Sequence, residues 1–169
     1  SLVRLAEIYM KKSDDAKAIT TLKRLETEAD FPQNVTFAQS NLMKTYYEQK
    51  DYPNAVVYAD KVLAHTKMDD KVKSDAQIIV ARSAMNSGDE TKAKAAYAKL
   101  QSIAKGELAA EALFYDAYFK NKEGKYEASN TSIQKLTKDY SGYKYFGAKG
   151  LVVMAKNFYA LKDSFQATY

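Results

Sequence analysis

The stretch of sequence that decides the fold reads KDYPNAVVYADKV, over residues 50–62. It opens with the turn signal Lys50-Asp51-Tyr52, and a small residue, Ala55, follows at once. Ala59 and Val62 then come four and seven residues after that small residue. Side chains with this spacing lie on one face of a helix. The stretch therefore predicts a tight turn followed by an amphipathic helix.

The pattern of a small residue followed by larger ones recurs along the whole chain. The sets are Ala18-Leu22-Leu25, Ala55-Ala59-Val62, Ala93-Tyr97-Leu100, Ser129-Ile133-Leu136 and, close to the last residue, Ala167. The small residues at 18, 55, 93, 129 and 167 lie 37, 38, 36 and 38 residues apart. A period of this size is typical of a solenoid, in which each unit buries its apolar face against its neighbours.

Each unit also contains an apolar helix before the turn, so that a unit is a helix-turn-helix repeat. Gly88 and Gly124 occur where a first helix ends, and they predict a left-handed residue at that point. In the fourth unit the rings Phe114, Tyr115 and Tyr118 precede Gly124, and we expect two extra turn residues there. The sequence thus predicts an all-α solenoid of about four and a half repeats in one domain, divided at about 1–32, 33–69, 70–105, 106–141 and 142–169.

Composition favours helices and excludes several kinds of chemistry. The chain of 169 residues has 2 Pro, 6 Gly and no Cys, and its 14 Tyr and 7 Phe make it rich in aromatic rings. The absence of cysteine removes disulfides, thiolate nucleophiles and zinc–thiolate sites. No apolar run is long enough to span a bilayer. The formal charge of +5 is spread along the chain, which favours a solvated surface over a nucleic-acid site.

No residue pattern indicates an enzyme, a metal or a cofactor. His65 is the only histidine, and we expect it to be structural or solvent-facing in the last turn of a second helix. The carboxylates Asp69, Asp70 and Glu107 open helices, where acids cap the end and complement the helix dipole. No phosphate-binding glycine loop is present. We therefore predict a non-enzymatic protein without cofactor.

The pattern resembles the tetratricopeptide repeat family over essentially the whole chain. The resemblance is carried by the recurring small residue, by turns such as Lys50-Asp51-Tyr52, and by an aromatic near the end of the first helix at Tyr9, Tyr46, Tyr118 and Phe158. It implies a right-handed superhelix that binds protein partners. The long units look like those of bacterial cell-envelope repeat proteins, which implies a periplasmic or outer-membrane-associated location. Composition alone leaves the cytoplasm equally open.

In repeats of this family the first helices line a concave face, and the residue after the buried aromatic turns partly toward it because one step rotates about 100°. Two explanations of this position stay open: it packs on the neighbouring helix, or it forms an adaptable peptide-binding groove. The apolar candidates are Met10, Tyr47, Met85, Phe119 and Tyr159, and the basic residues that flank them are Lys44, Arg82 and Lys156.

The function predicted from the sequence is a scaffold that binds a peptide or protein partner along the first helices. Two alternatives remain: binding of an anionic polymer, such as RNA or an acidic polysaccharide, through the basic surface, and a structural spacer in a larger envelope assembly. The aromatic and basic residues of 140–146 could stack bases, but they fit better as a seal between the fourth and fifth units.

Both ends of the sequence read as cuts through a longer protein, because the chain opens in helical rhythm and stops early in a helix. We expect the incomplete fifth unit to expose part of the face that carries Leu151, Met154 and Phe158. Self-association through that face is therefore a further expectation.

Overall fold

The computed structural model describes residues 1–162, and this part of the chain contains nine α-helices and no strand. The all-α prediction is confirmed, and the helices begin close to the predicted breaks. None of the helices in this range is long and apolar enough to cross a membrane. The helices are α1 (Leu2–Lys11), α2 (Asp15–Glu28), α3 (Pro32–Glu48), α4 (Tyr52–Leu63), α5 (Asp70–Asn86), α6 (Glu90–Ile103), α7 (Gly106–Lys122), α8 (Tyr126–Asp139) and α9 (Lys144–Ala160).

A left-handed residue follows every first helix, and it sets the register of the repeats. In the turn after α3, the Lys50 amide donates to the Tyr47 carbonyl at 3.0 Å, and the Asp51 amide donates to the Tyr46 carbonyl at 2.9 Å. These two bonds satisfy carbonyls that a helix end leaves free. The left-handed residues are Ser13, Lys50, Gly88, Gly124 and Lys162, with φ of 55°, 60°, 77°, 72° and 43°.

The second helices start on aspartate caps in the first three repeats. The Asp14 carboxylate accepts from the Lys17 amide at 3.3 Å, and Asp51 and Asp89 accept from amides at the same position in their helices. Asp69 caps α5 in the same way, as predicted. Such caps stabilise a helix by about 1 kcal/mol each. The polar residues around each turn therefore fix where the helices begin.

The prediction of two extra turn residues in the fourth repeat is wrong. α7 ends at Lys122, two residues before left-handed Gly124, just as α5 ends at Asn86 before Gly88. Turn residues 13, 50, 88, 124 and 162 lie 37, 38, 36 and 38 apart, which is the spacing of the small residues. Tyr118-Phe119 resembles the ring pair Tyr46-Tyr47 in sequence. Tyr46 lies four residues before its left-handed turn residue, however, whereas Tyr118 lies six residues before Gly124.

The recurring small residues of the second helices lie in the core. Ala18, Ala55, Ala93 and Ser129 are fully buried, and the larger residues four and seven positions later are buried with them. Ala167 lies outside the described residues. The predicted core pattern of the second helices is therefore confirmed wherever the structure describes it.

The chain forms two compact units, residues 1–93 and residues from Lys94 onward. In the first unit α1 to α5 pack on one another in chain order, and α3 also contacts α5. In the second unit α7, α8 and α9 pack in the same order, and α7 also contacts α9. Each unit thus has the layout of an α-solenoid, with neighbouring first helices side by side. The expectation of one continuous domain and a right-handed superhelix stays a prediction.

The second unit has an apolar core in which α8 lies very close to α9. A Cβ atom placed on Gly150 of α9 would lie 3.2 Å from Ile133 Cγ2 and 3.3 Å from Leu136 Cδ2, both on α8. Glycine therefore allows this close approach. Phe146 is buried in the same core against Phe114, with ring centroids 6.1 Å apart, so the segment 140–146 does seal the joint between the fourth and fifth repeats.

Candidate partner-binding surface

In the first unit the predicted apolar positions lie at the edge of the core. Met10, Tyr47 and Met85 each stand three residues before a left-handed turn residue, and all three are half-buried. Tyr46, one residue earlier, is buried and stacks on Tyr58 with ring centroids 5.7 Å apart. Tyr47 makes a looser contact with Tyr52, at 6.1 Å. This position is therefore partly packed and partly open to solvent.

The basic residues predicted to flank this surface in the first unit already have neighbours. Lys44 Nζ lies 3.5 Å from Asp75 Oδ2, which links α3 to α5, and about half of the Lys44 side chain remains exposed. Arg82 is half-buried on α5 and is also engaged with other residues. Any carboxylate of a partner would have to compete with these contacts.

In the second unit the predicted residues differ widely in accessibility. Tyr159 has 81% of its surface exposed, and Lys156 is exposed three residues before it on α9. Phe119 is only 5% exposed and lies among the rings of Tyr115 and Tyr118. By the register of the turns, the residue equivalent to Met85 is Asn121, which is half-buried. Phe119 occupies a core position, and its part in binding stays a prediction.

Residues 1–29, which comprise α1, its turn and α2, match the family model described as tetratricopeptide repeat. This part of the chain is therefore similar to a tetratricopeptide repeat. The comparison with curated proteins gave no match, and neither did the comparison with solved structures. The later repeats share the left-handed turn residue and the buried small residue of residues 1–29.

A cavity of about 150 Å³ lies beside Phe119 in the second unit. Its lining includes the buried rings of Tyr97 and Phe119 and the more exposed Lys94, Lys125 and Glu123. Both lysines pair with the Glu123 carboxylate, and their hydrogen bonds lower the pKa of Glu123 to about 2. The cavity therefore has an apolar interior beside charges that already neutralise one another in part.

Asp116, which also lines this cavity, is held by side chains of α7 and α8. Lys120 Nζ donates to Asp116 Oδ2 at 2.6 Å, and the Ser132 hydroxyl of α8 donates to the same oxygen. Burial alone raises the pKa of Asp116, but the hydrogen bonds from Lys120 and Ser132 outweigh it and lower the pKa overall. This carboxylate is an ionised structural link between α7 and α8.

A polar network in the first unit gives His65 its structural role. Its Nε2–H donates to Gln39 Oε1 at 2.7 Å, and Gln39 Nε2 donates in turn to Glu26 Oε1 at 3.0 Å. Lys61 Nζ lies 2.7 Å from the same oxygen of Glu26. His65 lies two residues beyond the end of α4, so its predicted place inside the last helical turn is wrong.

A second polar network was missed by sequence reasoning. Asn157 of α9 is fully buried and donates to Ser129 Oγ at 2.9 Å and to Asn130 Oδ1 at 2.7 Å. It also accepts from Asn121 Nδ2 at 2.7 Å, so it joins α7, α8 and α9. Its neighbours in sequence give no signal, because a lone polar residue in an apolar helix usually faces solvent. Within residues 1–162 no group of three or more acidic or histidine side chains is placed to hold a metal.

Proposed function

We propose that this protein is a non-enzymatic scaffold that binds a peptide or protein partner on the first-helix face of its repeats. Tetratricopeptide repeats are generally protein-interaction modules, and the match of residues 1–29 to that family model supports the proposal. The partner would lie over the residues that precede the left-handed turns. Met10, Tyr47 and Met85 would contribute in the first unit, and Tyr159 in the second.

The proposal rests on large apolar side chains that recur at the same position of successive repeats and are not buried. In four of the five repeats the residue three positions before the turn residue is Met or Tyr, and each keeps solvent exposure. Met and Tyr adapt to varied partner surfaces and are enriched at interfaces. Lys44 and Lys156, three residues earlier on their helices, add exposed positive charge beside this surface.

The first test is capture of partners by variants that alter only this surface. Tagged wild-type protein and the Tyr47→Ala/Met85→Ala variant are incubated with lysate of the native host, and bound proteins are quantified by mass spectrometry. Val57→Ala is the matched control, because Val57 is an exposed apolar residue on the second helix α4. The proposal expects at least one protein that wild type and control capture and the double variant loses. A capture profile identical in all three baits contradicts it.

The charge distribution does not favour the anionic-polymer alternative. Lys61 pairs with Glu26, Lys92 with Asp60 and Lys94 with Glu123, so much of the basic charge is already balanced locally. Salt separates the two functions, because binding to phosphates weakens steeply with ionic strength and apolar docking does not. We expect the captured partner to stay bound between 50 mM and 200 mM salt, values chosen to span roughly the range over which phosphate binding falls.

A further inference from the structure

The ammonium group of Lys149 is surrounded by three aromatic rings in the second unit. Lys149 Nζ lies 4.6 Å from the ring centroid of Phe114, 5.1 Å from that of Tyr145 and 5.8 Å from that of Tyr115. Phe114 and Tyr115 belong to α7, whereas Tyr145 and Lys149 belong to α9. We call Phe114, Tyr115 and Tyr145 the aromatic cage.

A buried acidic residue adds negative potential to that of the ring faces of the cage. Tyr115 stacks on Tyr97 with centroids 4.1 Å apart, and the Tyr97 hydroxyl donates to Glu111 Oε1 at 2.8 Å. Glu111 is 3% exposed and makes further contacts besides the one to Tyr97. Burial, and after it the charge of Glu111, raises the pKa of Tyr115. A cation between these rings is therefore favoured.

The ammonium group of lysine is not the cation that three aromatic rings bind best. Within the part of the chain that the structure describes, Lys149 Nζ contacts rings and no carboxylate. A primary ammonium carries three strongly hydrated N–H donors, and rings replace their hydrogen bonds with water only weakly. A quaternary ammonium has no N–H to satisfy, and rings in this arrangement are what recognise it.

The cage can also be reached from outside. Phe114 is 4% exposed and fixed in the core, whereas Tyr145 is 67% exposed and Lys149 is half-buried. One side of the cage is thus formed by a solvent-accessible ring, and its present occupant is a flexible side chain. Lys149 can leave toward solvent without disturbing Phe114.

We propose that the aromatic cage is a binding site for a quaternary ammonium group, and that Lys149 closes it in the free protein. The cage is separate from the residues before the turns, and it does not depend on the partner-binding function proposed above. A ligand displaces the Lys149 ammonium and takes its position among the three rings. The group would come from a small molecule of the choline type or from a trimethylated lysine of a protein.

The proposal is tested by titrating tetramethylammonium chloride into wild-type protein and Lys149→Met and following the aromatic proton resonances. Methionine keeps most of the length of the side chain and removes the competing charge. We expect Lys149→Met to bind the probe about tenfold more tightly than wild type, and Tyr145→Ala in that background to weaken binding about fivefold. Ammonium chloride at equal ionic strength is the matched control and should bind more weakly than the probe.

Two results would overturn the proposal: no binding of tetramethylammonium to Lys149→Met, or binding that Tyr145→Ala leaves unchanged. Circular dichroism melting checks that the variants fold. Should Lys149→Met not fold, Lys149→Gln takes its place under the same expectations. Choline and a peptide with trimethyllysine, titrated into wild type, then distinguish the two sources by their affinities.

Discussion

The left-handed residue of each turn is costly wherever it is not glycine. Lys50 has a φ of 60°, and an L-residue in this conformation pays about 1–2 kcal/mol. Lys50→Gly should therefore raise the free energy of unfolding by about 0.5–1 kcal/mol, since the greater freedom of glycine in the unfolded chain cancels part of the gain. Urea unfolding followed by circular dichroism measures the change.

Gly88 provides the reverse experiment in an equivalent turn. Its φ is 77°, and a Cβ atom placed there meets nothing within 4 Å. Gly88→Ala should lower the free energy of unfolding by about 1 kcal/mol through backbone conformation alone. If Lys50→Gly destabilises the protein or Gly88→Ala is neutral, the turns are not held in the left-handed conformation.

Asn157 is the buried polar residue whose loss should cost most. Asn157→Leu removes the partner of Ser129, Asn130 and Asn121 and leaves polar groups inside the second unit without hydrogen bonds. We expect the free energy of unfolding to fall by about 2–3 kcal/mol. Asn86→Leu is the control, because Asn86 is exposed near the end of α5 and should change stability by less than about 0.5 kcal/mol. Equal stability of the two variants would show that the network contributes nothing.

At the scale of helices, the sequence predicts where the elements begin and which face they bury. Asp51 and Ala55 are enough to place the turn and the buried side of α4, because caps and small residues act within a few positions of themselves. The end of α7 is harder to predict. Five residues before its turn residue α7 carries apolar Phe119, whereas α3 and α5 carry the polar residues Thr45 and Ser83 at that position. Only the hydrogen bonds of the Gly124 turn decide the register.

Side chains that depend on packing between helices were the part of the candidate sites that sequence could not predict. The aromatic cage brings residues 114, 115, 145 and 149 together from two first helices. No local sequence pattern predicts that contact. Asn157 is similar, because its partners lie 27 to 36 residues away. The recurring residue before the turn was predictable, because it needs only the repeat register. The solvent exposure of this residue was not predictable, because it depends on neighbouring side chains such as Tyr52.

At the scale of the whole molecule, α9 exposes residues whose counterparts elsewhere are core. Leu151 and Val152 are 54% and 58% exposed, whereas Leu113 and Phe114, at the same distance before the turn residue of α7, are 9% and 4% exposed. An exposed apolar strip of this kind favours association. Of the face that carries Leu151, Met154 and Phe158, Leu151 is exposed, whereas Met154 and Phe158 are half-buried.

We predict that copies of the chain associate through this face of α9. Sedimentation velocity should show a mass that rises with protein concentration, and Leu151→Ser/Val152→Ser should abolish the rise. Val57→Ser, which removes an exposed apolar residue from α4, should leave it unchanged. A wild-type protein that stays monomeric at every concentration would refute the prediction.

The proposed function requires a protein partner to bind over the residues that precede the turns. Isothermal titration calorimetry of the captured partner against wild type, Tyr47→Ala/Met85→Ala and Val57→Ala measures this binding. Phe119→Ala is left out, since removing a buried ring would change stability as well as binding. Tyr47 should contribute about 2 kcal/mol if it is a hot spot, so the double variant should bind at least about 30-fold more weakly while Val57→Ala matches wild type. A folded double variant with wild-type affinity would show that the partner does not bind over these residues.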